Sequence, residues 1–148
     1  MSQQPWPKQL EGLAELNHRL ARLAQTALVL LRNDDLDGLD KLWRERGRVA
    51  ADAAAAHARL GGVFANWERE VAALPLAQRE SAVRLVEQVR ANANQTLELD
   101  RQSIELIEGY KAETKAQMER MDTGRRLISA YGQANKPASV PLRVSTKG

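Results

Sequence analysis

The chain has 148 residues, of which 43% are hydrophobic and only 4% aromatic, and none is cysteine. Its apolar set consists mainly of 23 Ala and 20 Leu, against 9 Val and 3 Ile, which is the composition of a helical protein. Strands need the β-branched and aromatic residues that this chain mostly lacks, so a β-rich or doubly wound architecture is excluded. The absence of cysteine excludes disulfides and thiolate chemistry.

The formal net charge of +3 is unevenly distributed along the chain. The last sixteen residues hold three basic residues and no acidic one, whereas the first 132 hold 19 basic and 19 acidic residues. We therefore predict a single helical domain over residues 1–132 and a flexible basic tail over residues 133–148. Three charges on such a tail would release few counterions from a polyanion, so no nucleic acid is expected as a partner.

A Pro-bracketed lead precedes a first helix that is predicted from about Lys8 to about Arg32. Its apolar residues recur at heptad spacing: Leu13, Leu16, Leu20, Leu23, Ala27 and Leu30. Asn33 and Asp34 are suitable N-caps for a second helix, which Gly61 and Gly62 are expected to end. The apolar stripe of this second helix has one charged member, Arg46, and otherwise comprises Leu39, Leu42, Val49, Ala53, Ala56 and Leu60.

A short segment with Phe64, Trp67, Val71 and Leu74 follows and ends at Pro75. From Leu76 to Tyr131 the chain contains no proline, which predicts one very long helix, or two collinear helices with a bend near Gly109, capped by Gly132. The predicted fold class is all-α, an elongated antiparallel bundle of three to four helices with a long C-terminal helix.

The long helix carries more apolar surface than one neighbouring helix needs. One heptad seam, interrupted by Asp100, Lys111 and Arg125, runs through Leu97, Ile104, Ile107, Thr114, Met118, Met121 and Ile128. A second seam beside it contains Leu99, Leu106 and Tyr110. Leu97, Ile104 and Ile107 are expected in the bundle core. Beyond Tyr110 the Ala-rich second helix offers few large side chains, so the flexible Met118 and Met121 indicate a surface that accepts a partner helix.

Catalytic and metal-binding patterns are missing from the sequence. His18 and His57 are isolated, and there is no nucleophile elbow or Gly-rich phosphate loop. We therefore expect no enzymatic activity, no cofactor and no metal site. The most apolar stretch, Leu23 to Leu31, is nine residues long, well short of the ~20 that cross a bilayer. No membrane insertion and a cytoplasmic location are expected.

A basic cluster around Trp43 admits a nucleic-acid interpretation, with Lys41, Arg44, Arg46 and Arg48 as its cations. Each of two acids, Asp37 and Asp40, stands four residues before one of these cations, in the favourable acid-first order. A solvated, salt-bridged helix face is therefore the favoured interpretation.

Two segments give the sequence a family resemblance. The second helix contains Leu39-Asp40-Lys41-Leu42-Trp43-Arg44-Glu45-Arg46, and the last helix runs through Ile104-Glu105-Leu106-Ile107 to Gly124-Arg125-Arg126-Leu127-Ile128-Ser129-Ala130-Tyr131-Gly132, before a polar tail. In these features the chain resembles the flagellar type III export chaperones of the FliT/FlgN kind. The similarity extends loosely from about Leu10 to Tyr131.

The resemblance implies a chaperone without catalytic residues. Such a protein binds the C-terminal helical segment of a filament-cap or hook-associated protein, keeps it monomeric and delivers it to the export apparatus. Tyr131 matches the tyrosine through which some members contact the export-gate or ATPase components. Combined with the apolar surplus, this predicts a partner-binding surface formed by Leu106, Ile107, Tyr110, Met118, Met121, Ile128 and Tyr131.

A structural protein is the alternative. The same apolar surplus would serve as the seam of a homodimeric coiled coil or adaptor with no export role, because a partner helix and a sister helix present the same spacing.

Overall fold

The computed structural model describes residues 5–134, and all of their regular secondary structure is helical. Five helices follow one another: α1 Trp6–Arg32, α2 Leu36–Arg59, α3 Gly61–Ala65, α4 Trp67–Ala72 and α5 Leu76–Ala134. The predicted all-α bundle with a long last helix is therefore confirmed. Contacts between residues divide the chain into two units, Met1–Ile107 and Glu108–Gly148, and α5 contributes to both. Of the predicted tail, residues 135–148 lie outside the described residues.

In α1 the most deeply buried stripe differs from the predicted one. The buried residues are Leu10, Leu13, Ala14, Ala21, Ala24, Ala27, Leu28 and Leu31. Of the predicted stripe only Leu13 and Ala27 are among them, and its other four leucines are half-buried. Small alanines form much of the buried stripe, because a side chain with little bulk lets neighbouring helices approach closely. The larger leucines then lie at the margins of the contact.

The turn between α1 and α2 uses its polar residues differently from the prediction. Asn33 and Asp34 close α1: the N–H groups of Asp34 and Asp35 donate to the carbonyls of Leu31 and Leu30, at 3.3 and 3.0 Å. This is a Schellman arrangement, with Asp34 at φ 55° in the position that glycine usually takes. The N-cap of α2 is instead Asp35, whose carboxylate accepts a hydrogen bond from the Gly38 N–H at 2.9 Å. A Cβ on Gly38 would lie 2.7 Å from that carboxylate, so glycine leaves room for the cap.

Replacing Asp35 tests this assignment. Asp35→Ala removes the acceptor of an otherwise unsatisfied helix N–H, and we expect it to lower the free energy of unfolding by about 1 kcal/mol. Asp35→Ser keeps a capping oxygen and should stay within about 0.5 kcal/mol of the parent protein. Urea unfolding followed by circular dichroism measures both. Equal losses in the two variants would show that the cap does not stabilise α2.

The predicted stripe of α2 is confirmed, since Leu39, Leu42, Val49, Ala53, Ala56 and Leu60 are all buried. The expected end of the helix is only partly right. α2 stops at Arg59 with Leu60 as its C-cap, and Gly61 and Gly62 begin α3 instead of capping α2. No described glycine has a positive φ. The fully buried Leu60 side chain fixes the point at which the chain turns.

Within the first unit, three clusters of buried side chains join α1, α2 and α5. The first contains Leu10, Leu13, Ala56, Leu60 and Ala82. The second, formed by Ala27, Leu31, Leu39 and Leu42, is extended by Leu106 and Ile107, and the third comprises Ala24, Leu28 and Leu99. Burying one leucine completely contributes roughly 1.5–3 kcal/mol, so these clusters are the main source of stability for the unit.

α5 is assigned as one helix through Gly109, and it continues two residues past the predicted cap Gly132. Its core residues in the first unit are not all those predicted. Leu99 and Ser103 are buried, whereas Leu97 and Ile104 are 68% and 58% exposed. The expectation that Leu97 and Ile104 lie in the core is therefore wrong, because the second seam, which continues from Leu99 to Leu106, faces α1 and α2 instead. Ile107 is partly buried against the second cluster, as expected.

Candidate partner-binding surface

The seven predicted partner-binding residues fall into two groups. Leu106 and Ile107 belong to the first unit, where both are partly buried and pack against the cluster of Ala27, Leu31, Leu39 and Leu42. Only part of each side chain is left for a partner. The other five belong to the second unit, and all of them are exposed: Tyr110, Met118, Met121, Ile128 and Tyr131.

Four of the exposed residues form what we call the methionine stripe: Met118, Met121, Ile128 and Tyr131. Their exposed fractions lie between 59% and 74%, so most of each side chain is in contact with solvent. Steps of 3, 7 and 3 residues keep the four within one side of a helix. Leu127, which is not among the predicted residues, is 66% exposed and lies at the margin of this side, one turn before Tyr131. Several large apolar side chains exposed on one side of a helix are typical of a surface that a partner covers.

The charges around the methionine stripe are predominantly basic. Residues 111–131 hold five basic residues, Lys111, Lys115, Arg120, Arg125 and Arg126, against the acidic Glu113, Glu119 and Asp122. Asp122 forms an exposed ion pair with Arg126, one helical turn further along, at an N–O distance of 3.1 Å. The stripe therefore suits an apolar partner face with acidic flanks.

Leu97 and Ile104 form a second exposed apolar feature, on the part of α5 that belongs to the first unit. They stand one heptad apart. A surface ion network adjoins them, in which Arg101 bonds to Glu98 at 2.6 Å and to Glu105. Hydrogen bonds from Arg101, and secondarily from Gln102, lower the pKa of Glu98, and the same bond to Glu98 raises the pKa of Arg101. All three charged side chains are largely exposed, so these ion pairs contribute little to the stability of the protein.

Two residues that interrupt the predicted stripes meet in the structure. Arg46 of α2 and Asp100 of α5 form a bidentate pair, with both N–O distances at 2.5 Å. About a quarter of each side chain is exposed. The hydrogen bond to Asp100 raises the pKa of Arg46, and this outweighs the opposing effect of burial. The pair therefore gives both charged groups a partner inside the apolar contact between the two helices.

The basic cluster around Trp43 is partly neutralised. Arg44 pairs with Asp40 at 3.0 Å, as the spacing predicts, and Arg46 pairs with Asp100. A bond between Asp37 and Lys41, the other predicted pair, is not formed in the described part of the chain. Two of the four cations are thus engaged in ion pairs.

Comparison with known protein families, with curated proteins and with solved structures found no significant match for this chain. Over residues 5–134, no helix is both long and apolar enough to cross a bilayer. In the same range, His18 and His57 lie in no group of three or more metal-binding side chains.

Proposed function

We propose that this protein is a chaperone that captures an amphipathic helix of a partner on the methionine stripe. In its specific form, the proposal is a flagellar type III export chaperone, which binds the C-terminal helical segment of a filament-cap or hook-associated protein and delivers it to the export apparatus. The observation that carries the general proposal is the exposure of four large apolar side chains on one side of the second unit. The specific form rests on the resemblance of the sequence to the FliT/FlgN kind.

The chemistry of the stripe suits a chaperone that releases its client. Thioether side chains adapt to differently shaped partners, because methionine is unbranched and has several rotatable bonds. Pairing with an amphipathic helix needs apolar side chains at helical spacing, which Met118, Met121 and Ile128 supply. Tyr131 adds an amphipathic ring at the end of the stripe, with a hydroxyl that can bond to a polar partner group.

A charge placed on the stripe tests the proposal. In the Met118→Glu, Met121→Glu double variant we expect binding to the C-terminal segments of filament-cap and hook-associated proteins to weaken at least tenfold, because two apolar contacts are lost and carboxylates are desolvated. That loss corresponds to about 1.4 kcal/mol or more. Thr123→Glu adds one of these two charges on the opposite side of the helix and is the control for the effect of added charge alone. Isothermal titration calorimetry measures all three proteins.

Two results would contradict the proposal. A well-folded parent protein that binds none of these segments above background would remove the flagellar export role. Equal binding by the double variant and by Thr123→Glu would remove the methionine stripe as the contact surface, whatever partner is bound.

The alternative function, a structural homodimer, is favoured by a different observation. Leu97 and Ile104 are exposed one heptad apart on the first unit, which is the spacing of a coiled-coil seam. Light scattering coupled to size exclusion separates the two functions. A dimer that Ile104→Glu or Met118→Glu converts to a monomer without loss of helicity, together with no binding of flagellar segments, would favour the structural function.

A further inference from the structure

The first unit contains an apolar groove that the proposed function does not use. Its walls are formed by Phe64 of α3, Trp67 of α4, and Val86 and Val89 of α5, and the groove is open to solvent with a volume of about 560 Å³. This volume falls within the range of roughly 300–1,000 Å³ that is usual for ligand sites. We call it the aromatic groove.

One wall of the aromatic groove is a chain of rings held in mutual contact. Phe64 lies 5.3 Å from the His57 ring and 6.0 Å from the Trp67 ring, measured between centroids. Trp67 in turn meets the Trp6 ring edge-on at 5.7 Å. Phe64 and Trp67 are only half-buried, so their rings pack against each other and still present apolar surface to the groove. The wall is therefore already formed without an occupant.

The groove lining contains one permanently charged side chain, Arg90. Its lining contains His57 and Arg90 but no carboxylate. The Arg90 side chain is exposed and makes no hydrogen bond or ion pair with any residue in the described range. Glu87 stands one turn earlier on α5 and does not engage it. A guanidinium is a planar, permanently charged donor suited to a carboxylate. The groove thus combines apolar walls with an unengaged cation at its edge.

We propose that the aromatic groove binds an acidic amphipathic helix of a partner protein. A leucine- or phenylalanine-sized side chain of that helix enters between Phe64 and the two valines, and a carboxylate about one turn away bonds to Arg90. Charge complementarity selects this occupant, because a basic or neutral helix would leave Arg90 without a partner. The site belongs to the first unit and is separate from the methionine stripe, so it does not rest on the proposed function.

A pair of designed peptides tests this site. The first is a 20-residue Leu/Ala/Glu helix with acidic residues flanking its leucine face, and the second has Lys in place of every Glu. We expect the full-length protein to bind the acidic peptide at least tenfold more tightly than the basic one. Binding should shift the indole N–H resonance of Trp67, while that of Trp43, which does not line the groove, should remain unchanged.

Variants locate the contact. Arg90→Ala should weaken binding of the acidic peptide at least fivefold, because the carboxylate loses its only guanidinium partner in the groove. Arg84→Ala, another exposed arginine on α5, should leave binding unchanged and is the matched control. The Met118→Glu, Met121→Glu variant should also bind as the parent does, which separates this site from the proposed function.

Three outcomes would overturn the inference. These are equal affinities for the two peptides, equal effects of Arg90→Ala and Arg84→Ala, and a resonance shift at Trp43 in place of Trp67. A fourth would assign the groove to another class of ligand: N-acetylphenylalanine shifts the Trp67 resonance and depends on Arg90, while neither peptide binds.

Discussion

Leu60→Ala is expected to destabilise the first unit by about 3–5 kcal/mol, the upper part of the range for leucine-to-alanine changes in protein cores. Leu60 is fully buried at the turn after α2, in the cluster that also contains Leu10 and Ala82. The cost combines lost apolar burial with a cavity that the surroundings fill only partly. Relaxation is restricted here because two of the neighbours, Ala56 and Ala82, have no side chain that could move into the space.

Leu97→Ala provides the matched control, since it deletes the same atoms from a side chain that is 68% exposed. We expect a change within about 0.5 kcal/mol. Chemical denaturation followed by circular dichroism measures both variants, at two protein concentrations so that any self-association through Leu97 is detected as a concentration dependence. A difference of less than about 1 kcal/mol between the variants would contradict the burial of Leu60.

The sequence predicted some faces of the helices correctly because their signal was unambiguous. In α2 most large apolar residues lie on one side, apart from the exposed Leu36 and Trp43, so the stripe from Leu39 to Leu60 could be identified without a structure. In α1 the leucine pattern predicted a stripe of which only Leu13 and Ala27 proved buried. Hydrophobic periodicity gives most weight to large side chains, whereas close helix contact buries small ones such as Ala21 and Ala24.

The face of α5 could not be chosen from periodicity, because two seams lay side by side. The longer apolar seam contains Leu97 and Ile104, yet Leu99 and Ser103 are the residues that face the core. Ser103 lies between Leu99 and Leu106 in this second seam, and its buried hydroxyl has no hydrogen-bond partner among the described residues. The choice depends on the joint packing of α1 and α2 against α5, which is a tertiary property.

The two candidate sites differ in how far apart their residues lie in the sequence. Residues of the methionine stripe lie within fourteen positions on one helix, so their spacing was sufficient to group them. The aromatic groove collects residues from α2, α3, α4 and α5, and no local pattern joins His57 to Arg90. Its one signal in the sequence is the proximity of Phe64 and Trp67, which the sequence places in a short segment that ends at Pro75.

The pairing of Arg46 with Asp100 could not be predicted from sequence patterns either, because 54 positions separate the two residues. In the sequence, each is a charged residue that interrupts an apolar stripe, Arg46 in α2 and Asp100 in α5. Their meeting fixes the relative register of α2 and α5, since a slip of one helical turn would leave both charges in an apolar contact. The pair is therefore expected to specify the packing arrangement as well as to stabilise it.

Asp100→Ala tests that role and is expected to lower the free energy of unfolding by about 2 kcal/mol. Fully buried pairs lose roughly 3–5 kcal/mol when one partner is removed, and the smaller value reflects the quarter of each side chain that still contacts solvent. Raising the pH offers no relief, because an arginine guanidinium stays charged even after it loses its carboxylate partner. Asp40→Ala, which breaks the exposed pair with Arg44, should cost less than about 0.5 kcal/mol.

The double variant Arg46→Met, Asp100→Leu completes the experiment. Replacing both charges by apolar groups of similar length removes the unpaired cation, so most of the lost stability should return, to within about 1 kcal/mol of the parent protein. If the pair also sets the register, this variant should recover stability while the amide resonances of α2 and α5 broaden or double, which two-dimensional NMR detects. Equal losses for Asp100→Ala and Asp40→Ala would show that the charges in the α2–α5 contact are solvated as fully as those on the surface.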